Sequence, residues 1–144
     1  RPPRSTLFPY TTLFRSLIYQ TYRRYYNIIK KLAESNHIGA MTMMGDFLLK
    51  GRGVEKDEKA AVEWLTKAAD KGEFHAMYLL ATCYQRGTGV PVNKDKAIEY
   101  LSRSVDLGDR QAIALLADWY SRGICVGLNP LKAHRLRKSL KKTG

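Results

Sequence analysis

One stretch occurs three times along the chain at a constant interval, and it limits the possible folds more than any other feature. Residues 40–54, 76–90 and 112–126 each read as an amphipathic helix ending in a glycine turn, and successive copies start 36 residues apart. Over the full period, the first and second repeats are identical at 10 of 36 positions, and the second and third at 12. One helix pair of this size cannot bury its apolar stripe, whereas stacked copies can. The period therefore predicts a tandem array of helix pairs.

Glycines and capping residues mark the limits of each predicted helix. In each repeat the first, or A, helix is followed by a glycine where the chain must turn with positive φ. The second, or B, helix begins at an Asp or Asn whose side chain can accept from backbone N–H groups of the first turn. The predicted turn residues are Gly51, Gly87, Gly123, Gly72 and Gly108, and the predicted caps are Asp57, Asn93 and Asn129.

This register divides the chain into segments. Residues 37–72, 73–108 and 109–144 form three complete repeats, and residues 17–36 read as the second half of a truncated repeat. Small residues recur where helices would cross, at Ala40, Ala76 and Ala112, and larger apolar residues recur four positions later. We expect an all-α, right-handed solenoid of antiparallel helix pairs over residues 17–144. A closed helical bundle is the alternative, but a bundle does not need identical turn residues at a fixed period.

The first sixteen residues stand apart from this pattern. Residues 1–16, RPPRSTLFPYTTLFRS, match the in-frame translation of a common sequencing-library adapter. We interpret them as a non-native segment, in preference to a basic, hydroxyl-rich targeting peptide, and exclude them from the fold. On this interpretation the native N-terminus is missing. We then expect an exposed apolar strip on the helix at 17–35 and some self-association through this end.

The repeat motif resembles the Sel-one-like repeat family, an α-solenoid family related to tetratricopeptide repeats. The pattern A-x-x-x-L-[GA]-x-x-Y-x-x-G-x-G-V is followed by D or N, then K-A-x-x-W and A-A-x-x-G. The second repeat carries it at Ala76, Leu80, Ala81, Tyr84, Gly87, Gly89 and Val90. In the third repeat, Cys125 replaces the second glycine and Leu136 the tryptophan, as expected of a degenerate terminal repeat.

The resemblance implies a non-catalytic scaffold or adaptor that binds another protein or peptide. In related solenoids the A helices line the concave surface, so positions there that packing does not require are candidates for partner contact. These positions vary between copies at fixed spacing. The candidates are Thr42, Asp46, Lys50, Tyr78, Thr82, Gln85, Asp118, Ser121 and Arg122.

Positive charge suggests a second kind of partner. The formal net charge is +12, and residues 109–144 carry eight basic and two acidic residues. Most of these cations fall in the last predicted helix, where they suit the negative end of a helix dipole. They could also bind an acidic partner, nucleic acid or another anionic surface, with strong salt dependence.

Enzyme chemistry has little support in the sequence. Hydrolase activity, proposed for some relatives, needs a nucleophile beside a base, and no such pair can be assembled. His37, His75 and His134 show no metal-ligand spacing, and we expect solvent exposure for the first two. Gly87-Thr88-Gly89 has no P-loop lysine. Cys83 and Cys125 read as free thiols in a reducing setting. We therefore expect no cofactor and no metal; the compartment stays open, and no apolar run is long enough for a membrane span.

Overall fold

The structure is a stack of antiparallel helix pairs. The computed structural model describes residues 4–142, with side chains described for residues 11–142; the outermost parts of the predicted segments 1–16 and 109–144 lie outside these limits. Seven helices follow in order, and within the described part of the chain there is no strand. They are α1 (Arg4–Glu34), α2 (Ile38–Lys50), α3 (Glu58–Asp70), α4 (Phe74–Arg86), α5 (Lys94–Asp106), α6 (Arg110–Arg122) and α7 (Pro130–Lys142).

The predicted α-solenoid is confirmed. The A helices are α2, α4 and α6, the B helices are α1, α3, α5 and α7, and each helix packs on the next one along the chain. In addition α2 contacts α4 directly, which brings successive A helices side by side. The apolar core runs between the two rows of helices, with Met44, Leu80 and Leu116 buried at equivalent positions.

The turns repeat in detail. After the A helices, Gly51, Gly87 and Gly123 have φ of 66°, 74° and 68°. After the B helices, Gly72 and Gly108 have φ of 88° and 85°. All five predicted turn residues therefore adopt the left-handed conformation, which favours glycine because a Cβ there meets the backbone.

The connection from each A helix to the following B helix is also the same in all three repeats. The N–H of Asp57 donates to the carbonyl of Leu48 at 3.0 Å, and Asn93 and Asn129 make the equivalent bond at 2.9 and 2.8 Å. The side chains of these residues accept from the N–H groups of Ala60, Lys96 and Lys132. The three predicted caps thus fix both the turn and the first turn of each B helix.

The helix α1 is longer than the sequence indicates. It begins at Arg4 and not at Leu17, so a continuous helix runs through most of residues 1–16. The interpretation of that segment as non-native concerns its origin and not its conformation, and it stays a prediction. The apolar strip expected on this helix is present, since Leu17, Tyr25 and Ile28 are all exposed.

Candidate functional site

A groove over α4 lies on the side of the molecule formed by the A helices. It has a volume of about 580 Å³, and α2 and the start of α6 border it. Its walls come from successive A helices, because α2 and α4 lie side by side. Four of the predicted contact residues line it, namely Asp46, Lys50, Tyr78 and Thr82.

The other predicted contact residues are placed differently. Gln85, Asp118, Ser121 and Arg122 lie on α4 and α6 outside the groove lining and are half-buried or exposed. Thr42 is only 6% exposed, and its hydroxyl donates to the Glu73 carboxylate at 2.9 Å. Thr42 therefore joins α2 to the start of α4, and we leave it out of the contact surface.

Ion pairs between nearby side chains compensate most of the charges in and beside the groove. Lys50 pairs with Asp46 at 2.8 Å, one helical turn away. Lys56 pairs with Glu58 at 3.2 Å across the start of α3. Such exposed pairs add little to stability, but they leave few charges free for a partner.

Aromatic rings form one wall of the groove. The rings of His75 and Tyr78 stack with centroids 5.6 Å apart and an angle of 15° between their planes. Both side chains are half-buried, so His75 is less exposed than its sequence predicts. A rigid, partly exposed aromatic pair suits contact with an apolar or aromatic side chain of a partner.

The floor of the groove contains a thiol. Cys83 is 2% exposed, and burial raises its pKa from about 9 to about 11. Burial is the largest cause of this shift; Glu58 also raises the pKa, whereas Arg86 and Thr82 lower it. The thiol is therefore protonated at neutral pH and lacks the thiolate that a cysteine nucleophile requires.

The residues that cap the A helices were not predicted from the sequence. Backbone N–H groups of α2, α4 and α6 donate to the side chains of His37, Glu73 and Asp109. His37, expected to be merely solvent-exposed, uses Nδ1 in this way at 3.1 Å. Their spacing of 36 residues could have identified them, but His and Glu are weak capping residues by composition.

The basic helix α7 carries the second predicted surface. Arg135 and Lys138 are exposed, and a shallow cavity of about 360 Å³ lies beside Leu131 and Leu136. Lys132 lies 4.7 Å from the centre of the Tyr120 ring, and Arg137 donates to the Ser121 hydroxyl at 2.8 Å. The surface is therefore cationic with an apolar strip beside it.

Two searches of the described residues found nothing. No group of three or more His, Cys, Asp or Glu side chains there could hold a metal ion. None of the helices there is long and apolar enough to cross a membrane.

Comparison with known proteins identifies the repeat. A family model described as Sel1 repeat matches residues 38–73, 74–109 and 110–136. The chain is similar to a Sel1 repeat protein from Oxalobacter formigenes, with 28% identity and a TM-score of 0.76 over 83% of this chain and 48% of that one. No curated protein matches.

Two further solved structures are similar. One is c5321, a protective antigen present in uropathogenic Escherichia coli strains that displays an SLR fold, with 28% identity and a TM-score of 0.74 over 85% of this chain and 26% of that one. The other is Helicobacter pylori cysteine-rich protein B, with 24% identity and a TM-score of 0.58 over 62% of this chain and 68% of that one, a likeness of fold alone. The chain thus spans about half of the first of these relatives and about a quarter of the second.

Proposed function

Because the chain belongs to the Sel1 repeat family, whose members are generally protein-interaction scaffolds, we propose that it binds a peptide segment of a partner protein in the groove over α4. The observation that carries the proposal is the groove itself. Side chains that differ between repeats line it, with an aromatic pair on one wall and charged side chains around it. Rigid helices hold these side chains, which lowers the entropy cost of binding.

The chemistry of the groove supports binding over catalysis. Cys83 is the buried nucleophile candidate, and its pKa of about 11 keeps it protonated. Hydrolase activity, the alternative suggested for some relatives, would need a different nucleophile with a base beside it.

The proposal can be tested without knowing the natural partner. Random twelve-residue peptides displayed on phage are selected on the purified chain, and the affinities of enriched peptides are measured by fluorescence anisotropy. Tyr78→Ala removes one of the two rings of the aromatic wall and should weaken binding about tenfold or more, as for a central aromatic contact. Glu99→Ala changes an exposed residue of α5 outside the groove and should leave the affinity unchanged. Equal effects of the two substitutions would contradict the proposal.

A second binding surface is proposed on α7 for an acidic segment of a protein. Where α3 and α5 carry Leu65 and Leu101, both fully buried, α7 carries the exposed Arg137. Lys141 likewise replaces Ala69 and Val105. The apolar cavity beside Leu131 favours an amphipathic acidic helix over the phosphate backbone of a nucleic acid.

This second surface has its own test. Poly-L-glutamate is titrated at 50 and 300 mM salt against the chain and its Lys138→Glu variant, with Lys59→Glu on α3 as the matched charge control. Binding should weaken with salt and with Lys138→Glu alone. Stronger binding of single-stranded DNA, with a steeper salt dependence, would favour the nucleic-acid alternative instead.

A further inference from the structure

Arg86 lines the groove over α4 and lacks the ion pair that its equivalents in the other two repeats form. We propose that its guanidinium binds the carboxylate of an Asp or Glu side chain in the bound peptide. The inference rests on the proposed function, because it concerns a partner in the groove over α4. It adds the chemical class that this partner must present to Arg86.

Comparison of equivalent positions shows that Arg86 has no acidic residue four positions earlier, unlike its counterparts in the other repeats. Its equivalents in the first and third repeats are Lys50 and Arg122, each with an aspartate four residues earlier. Lys50 pairs with Asp46 at 2.8 Å and Arg122 with Asp118 at 3.1 Å. In the middle repeat that position holds a threonine, so the internal partner present on both sides is missing.

Thr82 does not replace the missing acid. Its hydroxyl donates to the backbone carbonyl of Leu79 at 2.7 Å, which turns it towards its own helix. No ion pair of the described residues includes Arg86, and its charge acts on the Cys83 thiol, whose pKa it lowers.

The charges that line the groove also leave Arg86 without an acidic partner among the described residues. The lining contains three cations, Lys50, Lys56 and Arg86, and two carboxylates, Asp46 and Glu58. Asp46 pairs with Lys50, and Glu58 pairs with Lys56. The remaining positive charge lies on Arg86. A cation at the end of α4 suits the helix dipole, but that applies equally to Lys50 and Arg122, which nevertheless have acids.

The surroundings of Arg86 define the ligand. A guanidinium binds a carboxylate through two parallel N–H···O bonds, and concave walls strengthen the field that attracts an anion. The stacked rings of His75 and Tyr78 line the same groove and offer contact to an apolar side chain. The lining therefore fits a peptide that presents an acidic residue to Arg86 and an apolar or aromatic one to the ring pair, whose nearer member lies about 12 Å away along α4.

The experiment uses the peptides selected on the unaltered chain and restores the missing acid. Thr82→Asp gives the middle repeat the pairing of its neighbours and should weaken binding about tenfold, because Arg86 then pairs within α4. Arg86→Gln should cause the same loss, and so should Asp→Asn or Glu→Gln in the peptide. Thr82→Asn has the shape of aspartate without its charge, so it should leave Arg86 free and the affinity near that of the unaltered chain.

Controls separate charge from folding and this inference from the proposed function. Ser102→Asp adds the same charge on α5 and should leave the affinity unchanged, and thermal unfolding by circular dichroism checks that each variant is folded. The selected peptides could lack enriched Asp or Glu, bind the Thr82→Asp and Arg86→Gln variants as tightly as the unaltered chain, and lose binding with Tyr78→Ala. That result would overturn the role of Arg86 and leave the groove as the site. Peptides insensitive to Tyr78→Ala would overturn the proposed function.

Discussion

The first and last helices hold equivalent places in the repeat but present opposite chemistry. Ile29 on α1 and Arg137 on α7 stand at the same repeat position, 108 residues apart. Ile29 is 4% exposed beneath α2, whereas Arg137 is exposed and donates to Ser121. A position that the intervening repeats use for stacking is thus apolar where a helix covers it and cationic on α7.

The other face of α1 also departs from its equivalents. Tyr25 and Leu32 are exposed, while Ala61 and Ala68, the same positions on α3, are fully buried against the rest of the core. Small residues there allow the A helix of the repeat to approach closely. The two end helices therefore differ in kind: α1 exposes bulky apolar residues, and α7 exposes cations.

The junctions between repeats differ as well. Gly53 lies directly on the backbone of Tyr22 and Arg23, and a Cβ at this position would overlap that backbone. Gly89 lies in the same way on the backbone of Glu58. The third repeat has Cys125 at this position, with a φ of 58°. The third junction therefore accommodates a side chain that the first two exclude.

Gly89→Ala should break the second junction and have the largest effect. The new methyl group would overlap the Glu58 carbonyl, and φ of 71° is unfavourable for alanine. We expect a loss of about 3 to 4 kcal/mol in the free energy of unfolding. Gly72→Ala, with a similar φ but no atom within 4 Å of its Cβ, should cost about 1 kcal/mol. Equal losses in urea denaturation would contradict the close approach.

Two adjacent isoleucines test the asymmetry of α1. Ile29→Ala should lower the free energy of unfolding by about 2 to 3 kcal/mol, because it leaves a cavity beneath α2. Ile28 is 59% exposed, so Ile28→Ala should change it by less than about 0.5 kcal/mol. Only Ile28→Ala should reduce self-association in sedimentation velocity at high concentration. A strict monomer before any substitution would refute association through this strip.

Cys125→Gly sharpens the contrast between junctions. Glycine adopts a φ of 58° without the steric cost that a side chain carries, while it adds entropy to the unfolded chain. We expect the free energy of unfolding, measured by thermal or urea denaturation, to increase by about 0.5 to 1 kcal/mol. Cys125→Ala keeps the steric cost and should not produce this gain. A loss on Cys125→Gly would mean that the thiol packs in a way that offsets its backbone conformation.

The buried thiol makes the stability depend on pH only above about pH 9, so its effect near neutral pH is the smallest of these. The pKa of Cys83 is about 11 in the folded chain against about 9 when exposed, so folding favours the neutral thiol. This contribution to stability is fully present below pH 9 and is lost as the pH rises towards 11. At pH 8, Cys83 should react with a thiol reagent much more slowly than the half-buried Cys125. Rapid labelling of both cysteines in the folded chain would contradict this.

Regular features of the fold follow from the sequence. Gly51, Gly87 and Gly123 are predictable because only a residue tolerant of positive φ ends a helix in this way at a fixed interval. Asp57, Asn93 and Asn129 are predictable because their side chains cap helices by a local interaction. Both predictions use short-range physics and are repeated three times, which makes them robust.

Features that depend on packing or distance were harder to predict. The helical period places Thr42 with the contact residues, but the Glu73 carboxylate that caps α4 reaches across and binds it. The lack of an ion pair at Arg86 follows from two facts together: the sequence has no acid four residues earlier, and in the structure Glu58 pairs with Lys56. Periodicity finds the face of a helix, but it does not show which charges on that face are already compensated.

Binding of a partner across the A helices over α4 is what we propose. Photo-crosslinking of a selected peptide that carries benzophenone, followed by mass spectrometry, tests it most directly. We expect crosslinks to the groove lining, at Lys50, Tyr78 and Arg86. Crosslinks confined to the exposed B-helix residues Glu63 and Glu99 would contradict it.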